Sequence, residues 1–375
     1  MAKNIVVFSD GTGQEGGKGN NTNVYKLYNA ILDRSAEQVA FYDRGLGTGW
    51  RKLTGNAMGM GISKNILECY EFIFNNYETG DRIYLFGFSR GATTIRSLSG
   101  FIHCFGILPK ARPELIKQAY KIYKIRNKKR RDRRAKDFLD KHHTMWAKIE
   151  FLGVWDTVAA LGIPIKGIDL LFDKIPFFRN KFHDLRLSES VRHAYHALAI
   201  DDERQIFHPT MWDTRDLKPG QTVKQVWFCG MHTDVGGGYA ESALSDIPLE
   251  WMKRRAVEHG LKIYREMKLN TDPNGFMHDS RGSLLTKLYR RKVRSMNPFI
   301  HGKATIHESV LMRKLNPRNL IDPPYQPWIL DGSYELEIED WPGRSPDRKV
   351  LLLPEPVSDL PDTPSGIMKL AEKAA

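Results

Sequence analysis

The sequence predicts an α/β fold built on a mostly parallel sheet, and three observations lead there. Short apolar runs recur, each closed by a turn of small or polar residues. Helical stretches lie between them. One strand–helix junction carries the pentapeptide Gly87-Phe88-Ser89-Arg90-Gly91. The chain has 375 residues, of which 41% are hydrophobic, with eight Trp and eighteen Phe. That is material for a large core, and it excludes a disordered chain or a small stapled scaffold.

Taken in order, the expected strands are 4–8 before Ser9-Asp10-Gly11-Thr12, 39–42 before Asp43, 82–86 before Gly87, 149–154 before Trp155-Asp156, and 225–228 before Cys229-Gly230. Each is a nearly unbroken apolar run, as strands covered on both faces must be. Helical spacing appears over 24–32, 63–77, 92–101, 188–200 and 248–259. In such sheets ligands sit beyond the carboxyl ends of the strands, so polar residues placed there are the candidates for chemistry. Residues 1–340 are expected to form one catalytic domain, with a basic helical insertion at 107–147 and a second insertion at 161–187. Residues 341–375 form a Pro-rich tail, and no internal repeat is present.

The formal charge is +13, and eleven Lys/Arg against the single Asp132 between Lys117 and Lys136 account for most of it. Leu115, Ile116, Ala119, Tyr120 and Tyr123 recur there at helical spacing, which predicts a basic amphipathic helix. Three roles compete for it: a solvated face, a contact with an anionic membrane surface, and nucleic-acid binding. No nucleic-acid-reading motif accompanies it, so no specific nucleic-acid partner is expected. A second basic cluster, 287–294, could extend the same face. Cys69, Cys104 and Cys229 are too dispersed for a disulfide framework or a zinc knuckle. No run approaches the roughly 18 apolar residues of a membrane span, and the N-terminal apolar stretch is too short for a signal peptide. The expected location is therefore the cytoplasm, or outside the cell by a route that uses no signal peptide.

The Gly87–Gly91 pentapeptide is a G-x-S-x-G between a strand and a helix, the context a nucleophile elbow requires. Ser89 would project over the sheet, with the Arg90 amide at the helix N-terminus available to an oxyanion. Such a serine needs an acid and then a histidine further along the chain, and Asp156 and His232 each follow a strand in that order. Asp156 could instead be a turn or cap residue. His307 is the rival base, and Asp234 the rival acid. The loop Gly11-Thr12-Gly13 after the first strand is the expected second half of an oxyanion hole. Asp10 beside it would be unfavourable there unless it points away to hold the loop.

The same residues invite comparison with other chemistries. Gly11-x-Gly13-x-x-Gly16 after a strand, with Asp43 ending the next, matches a dinucleotide fingerprint, but no helix follows the last glycine directly. A P-loop fails because Gly17-Lys18 is followed by Gly19. Asp10, Asp43, Asp156, His232 and Asp234 at strand ends would also suit a metal-dependent phosphoesterase, which leaves Ser89 without a task. A basic membrane- or nucleic-acid-binding module on an inactive scaffold is the non-enzyme alternative.

Six ordered motifs occur together: Val6–Gly13, Tyr42–Thr48, Gly87–Ala92, Gly153–Val158, Ala197–Arg204 and His232–Tyr239. The series resembles the α/β-hydrolase domain family that includes the type VI secretion phospholipase effectors, over about residues 3–315. The resemblance implies an α/β-hydrolase-like fold and a Ser-Asp-His hydrolase of acyl esters, with phospholipase A activity in the effectors. By motif it implies Ser89 as nucleophile, Asp156 as acid and His232 as base. No extra membrane-anchoring domain is evident, so an intracellular esterase is the alternative to a phospholipase. The expectation is thus a serine esterase or lipase working through an acyl-enzyme on an ester or phospholipid substrate, with no cofactor and no metal.

Overall fold

In the computed structural model the described residues are 2–11, 16–17, 19–31, 35–45, 55–158, 186–283, 286–316 and 324–342. Eight strands among them form one sheet: β1 (Asn4–Ser9), β2 (Gln38–Asp43), β3 (Arg82–Phe88), β4 (Ile149–Trp155), β5 (Val191–Ala199), β6 (Thr222–Phe228), β7 (Ala304–His307) and β8 (Leu336–Glu339). The strand order is β2-β1-β3-β4-β5-β6-β7-β8, and every pairing is parallel. The chain is an α/β-hydrolase-like fold. The order reverses at β1, so the crevice beyond the ends of β1 and β3 is where the topology itself leaves room for a ligand.

Two apolar layers cover the sheet. On one face α2 (Gly55–Asn76) and α3 (Arg90–Phe105) pack on Ile5, Val7, Ile83 and Leu85. On the other, α1 (Asn23–Ala30) and the later helix Asp246–Glu258 cover Val6, Phe8, Tyr84 and Phe86. The central strands are buried on both sides, which is why they read as continuous apolar runs.

Between α3 and β4 the chain makes the helical hairpin α4 (Glu114–Tyr123) and α5 (Lys128–His142), which lies within 107–147. Leu115, Ile116, Ala119, Tyr120 and Tyr123 are the buried stripe of α4. Tyr120 and Tyr123 edge against Phe101, Phe138 of α5 edges against Phe105, and the Tyr123 hydroxyl donates to the Ser97 carbonyl at 2.9 Å. Ile107 bridges Met145 as the hairpin returns to β4. The hairpin therefore flanks α3. Lys117, Lys121, Lys128, Lys129, Arg130, Arg133, Arg134 and Lys136 are exposed.

Residues 188–200, expected as a helix, are instead β5. The run Val-Arg-His-Ala-Tyr-His-Ala-Leu-Ala satisfies both periodicities. Its place between β4 and β6, with Ala194–Ala199 buried on both faces, decides for the strand. β7 and β8 were not anticipated, being four residues each. The helices that complete the order are α6 (His232–Gly236), α7 (Asp246–Glu258), α8 (Pro298–His301) and α9 (Glu308–Leu315). The expected insertion at 161–187 falls almost wholly outside the described residues, as does the tail beyond 342.

Candidate active site

Ser89 stands at the turn from β3 into α3 with φ 56° and ψ −120°. The two flanking glycines make that turn possible. A Cβ on Gly91 would come within 2.0 Å of the Ser9 carbonyl oxygen, and one on Gly87 within 2.8 Å of the Ala92 backbone. Helix α3 is thus pressed against the end of β1, and the Ser89 N–H donates to the Trp155 carbonyl of β4 at 3.1 Å.

Three strand ends converge here. The Ser89 hydroxyl lies 2.8 Å from His232 Nε2, and His232 Nδ1 lies 2.5 Å from Asp156 Oδ2. Asp156 is acceptor-only as a carboxylate, so Nδ1 carries the proton and Nε2 is left to accept from the serine hydroxyl. The His232 ring is held between Phe88 and Phe207, at centroid distances of 4.6 and 4.8 Å. Its backbone N–H donates to Asp202 Oδ2 at 3.2 Å, and Arg204 pairs with the same Asp202 carboxylate. Burial depresses the His232 pKa, against the opposing pull of Asp156, so the imidazole is neutral and able to take a proton.

Asp156 has no exposed surface and sits just past β4 at φ 38°. Burial alone would raise its pKa. The charge and hydrogen bonds of Arg294, and then those of His232, outweigh burial and hold the carboxyl below the usual range. Oδ1 also accepts from the Ala199 N–H at 3.0 Å.

The other candidates are engaged elsewhere. Asp10 is bonded to its own loop and to its neighbours. Its carboxylate accepts from the Gly11 N–H at 2.7 Å and from the hydroxyls of Thr22 and Tyr42, both at 2.6 Å. Burial pushes its pKa up to about 6. The Gly11 amide is taken up by that contact, and Thr12 and Gly13 lie outside the described residues. The Arg90 amide is in the first turn of α3, where helix N–H groups have no intrahelical acceptor. Asp234 accepts from the N–H groups of Met231 and His278 and from the His278 ring at 2.6 Å, so it holds the loop around α6 and does not orient His232. His307 caps α9 through Ser309 and stacks on Phe228 at 4.8 Å. Burial drives its pKa down to about 3, and it makes no contact with Ser89 or Asp156. Asp43 accepts from Ser9 at 2.7 Å.

Arg294 is the residue the sequence did not single out. It belongs to the 287–294 cluster, read as an extension of the basic face of 117–136, yet its side chain is fully buried against Asp156. Within a run of five basic residues in eight, nothing local marks which one turns inward.

Residues 3–255 match the family model "T6SS, Phospholipase effector Tle1-like, catalytic domain". A curated relative, the uncharacterized protein YEL023C of Saccharomyces cerevisiae, is 31% identical over 230 residues, covering 55% of this chain and 32% of that protein. The chain thus spans about a third of the length of that relative. Among solved structures, an uncharacterized protein from Pseudomonas aeruginosa aligns with TM-score 0.44 at 16% identity, covering 70% of this chain and 47% of that one. A Tle1 effector bound to the VgrG spike of the type VI secretion system aligns at 0.34 and 16%, covering 64% and 52%. A metagenomic carboxyl esterase aligns at 0.32 and 12%, covering 69% and 76%.

Proposed function

The chain belongs to the family of Tle1-like phospholipase effector catalytic domains, and from that premise we propose that it is a serine hydrolase of carboxylic esters, with a phospholipid acyl ester as its substrate. The observation that carries the proposal is the unbroken run of two hydrogen bonds from Ser89 through His232 to Asp156. In this mechanism His232 Nε2 takes the hydroxyl proton as Ser89 Oγ attacks the ester carbonyl. The tetrahedral oxyanion is met by the Arg90 amide at the N-terminus of α3. His232 then returns the proton to the leaving alkoxide, and the acyl group stays on Ser89. Water, deprotonated by His232, releases the fatty acid. Asp156 holds the imidazole in the required tautomer and stabilises its cation.

The α4–α5 hairpin supplies a second part of the proposal. Its exposed cations suit the anionic surface of a lipid bilayer, with each Lys or Arg near such a surface worth about 1 kcal/mol. No helix among the described residues is long and apolar enough to cross a membrane. The test is labelling with a fluorophosphonate probe, followed by turnover of short esters and of anionic phospholipid vesicles. Ser89→Ala should abolish labelling and both activities while leaving the circular dichroism unchanged. Turnover that survives in Ser89→Ala, or that vanishes on chelation and returns with Mn²⁺ or Mg²⁺, rejects the nucleophile.

A further inference from the structure

Arg294 lies outside the residues matched by the family model. A short antiparallel clip delivers it to the centre. Gln205 N–H donates to the Arg290 carbonyl at 3.0 Å, Lys292 N–H to the Glu203 carbonyl at 2.7 Å, and the Arg291 guanidinium forks onto Glu203 with both contacts at 2.7 Å. Past that clip the chain turns in. Arg294 Nη1 donates to Asp156 Oδ1 and the Ala199 carbonyl, each at 2.6 Å, while Nη2 donates to Asp156 Oδ2 at 2.8 Å and the Phe207 carbonyl at 2.7 Å. Neither Arg294 nor Asp156 has any side-chain exposure.

We propose that Arg294 is a positioning residue for the reaction. Its fork fixes the plane of the Asp156 carboxylate so that Oδ2 meets His232 Nδ1, and its charge is the buried counter-ion that keeps Asp156 ionised. This rests on Ser89, His232 and Asp156 being the reacting centre. A carboxylate without water around it is costly unless paired, and a planar fork sets orientation in a way a point charge cannot. Phe207 couples the two tasks, since its carbonyl accepts from Arg294 while its ring packs on His232. At rest the arginine and aspartate cancel; once His232 takes the serine proton, the buried set carries one net positive charge. The other charged or titratable groups facing it are Asp201, Asp202 with Arg204, His196 and His208.

A pin that merely holds the fold predicts something different. Removing a buried cation raises the proton affinity of the Asp156–His232 pair, whichever partner takes the proton, so the acidic limb of the kcat/KM profile must move to higher pH. Loss of a structural pin lowers the amount of competent enzyme and leaves the limb where it was.

The experiment counts competent Ser89 by fluorophosphonate titration, then measures kcat/KM against pH on a soluble ester. Arg294→Gln should turn over at least about tenfold more slowly per labelled site, with its acidic limb raised by about one pH unit, and millimolar guanidinium should restore part of the activity of Arg294→Ala. An unmoved limb, with activity lost only in proportion to labelling, overturns the proposal. If the glutamine variant does not fold, Arg294→Lys decides. It keeps the cation but not the fork, so the limb should stay in place while turnover per labelled site falls, and wild-type turnover per site would overturn the proposal. A wild-type chain that never labels at Ser89 would instead remove the parent reading, and this inference with it.

Discussion

The cleft around Ser89 and the α4–α5 hairpin hold charge in opposite ways. In the cleft, Asp156 meets Arg294 and Asp202 meets Arg204, all largely or wholly buried with both carboxylate oxygens of each acid engaged. In the hairpin, nine lysines and arginines face solvent along two helices, while the inward-facing Arg131 is the one beside Asp132. Buried charge must be neutralised group by group, and the directional bonds that do so also fix geometry, which is what a proton relay needs. Exposed like charge makes a field with no fixed geometry, which suits attraction to a surface. The contrast teaches that the net charge of +13 describes the hairpin and says almost nothing about the chemistry.

Asp156→Asn should break the contrast most severely. It leaves Arg294 buried without a counter-charge and offers His232 an amide. Turnover should fall about 10⁴-fold and unfolding free energy by about 3–5 kcal/mol, read from single-turnover kinetics and urea titration. Next in size is the pair of strand-end histidines. His232→Gln should lower kcat about 10³-fold or more at nearly unchanged Tm. His307→Gln should do the reverse, keeping kcat within about threefold while lowering Tm, because it disturbs the Ser309 cap and the Phe228 stack. Equal kinetic losses in both would undo the assignment of the base. Neutralising Lys128, Lys129, Arg130, Arg133 and Arg134 should weaken binding to anionic vesicles by about 10²-fold or more while sparing turnover of a soluble ester. Vesicle binding unchanged by that variant and by added salt would make the hairpin a solvated face only. The smallest effect concerns pH. The neutral imidazole is the working form and burial lowers its pKa, so kcat/KM should fall on acidification with a midpoint below the ordinary histidine value of 6.5 and be flat from there to neutrality. A midpoint at or above 6.5 contradicts the burial argument.

Much of the fold could be read because a two-sided parallel sheet writes itself as apolar runs, and β1, β3, β4 and β6 fall where those runs are. β5 could not be read this way, since Val191–Ala199 suits helix and strand alike and only its neighbours choose. The convergence of Ser89, Asp156 and His232 was legible because strand ends share one side of a parallel sheet, so order along the chain becomes proximity in space. Arg294 was illegible for the converse reason. It arrives on an irregular segment, 138 positions from Asp156, and its local sequence resembles that of residues on the surface. Gly11 was read as part of an oxyanion-hole loop and not as the donor to Asp10, because the rotation of a single amide leaves no trace in residue type.

Of the three non-glycine residues at positive φ among the described residues, two are Ser89 and Asp156. Left-handed backbone in residues of these types costs on the order of 1 kcal/mol or more each, so the centre holds elastic energy that the rest of the fold must contain. A chain stripped of its chemistry should therefore be the sturdier one. Ser89→Gly, which relaxes the turn and removes the hydroxyl together, should melt at a higher temperature than the active protein. If it does, thermal tolerance and turnover pull against each other at a single atom in this molecule, and selection for heat resistance alone would be expected to discard the serine first.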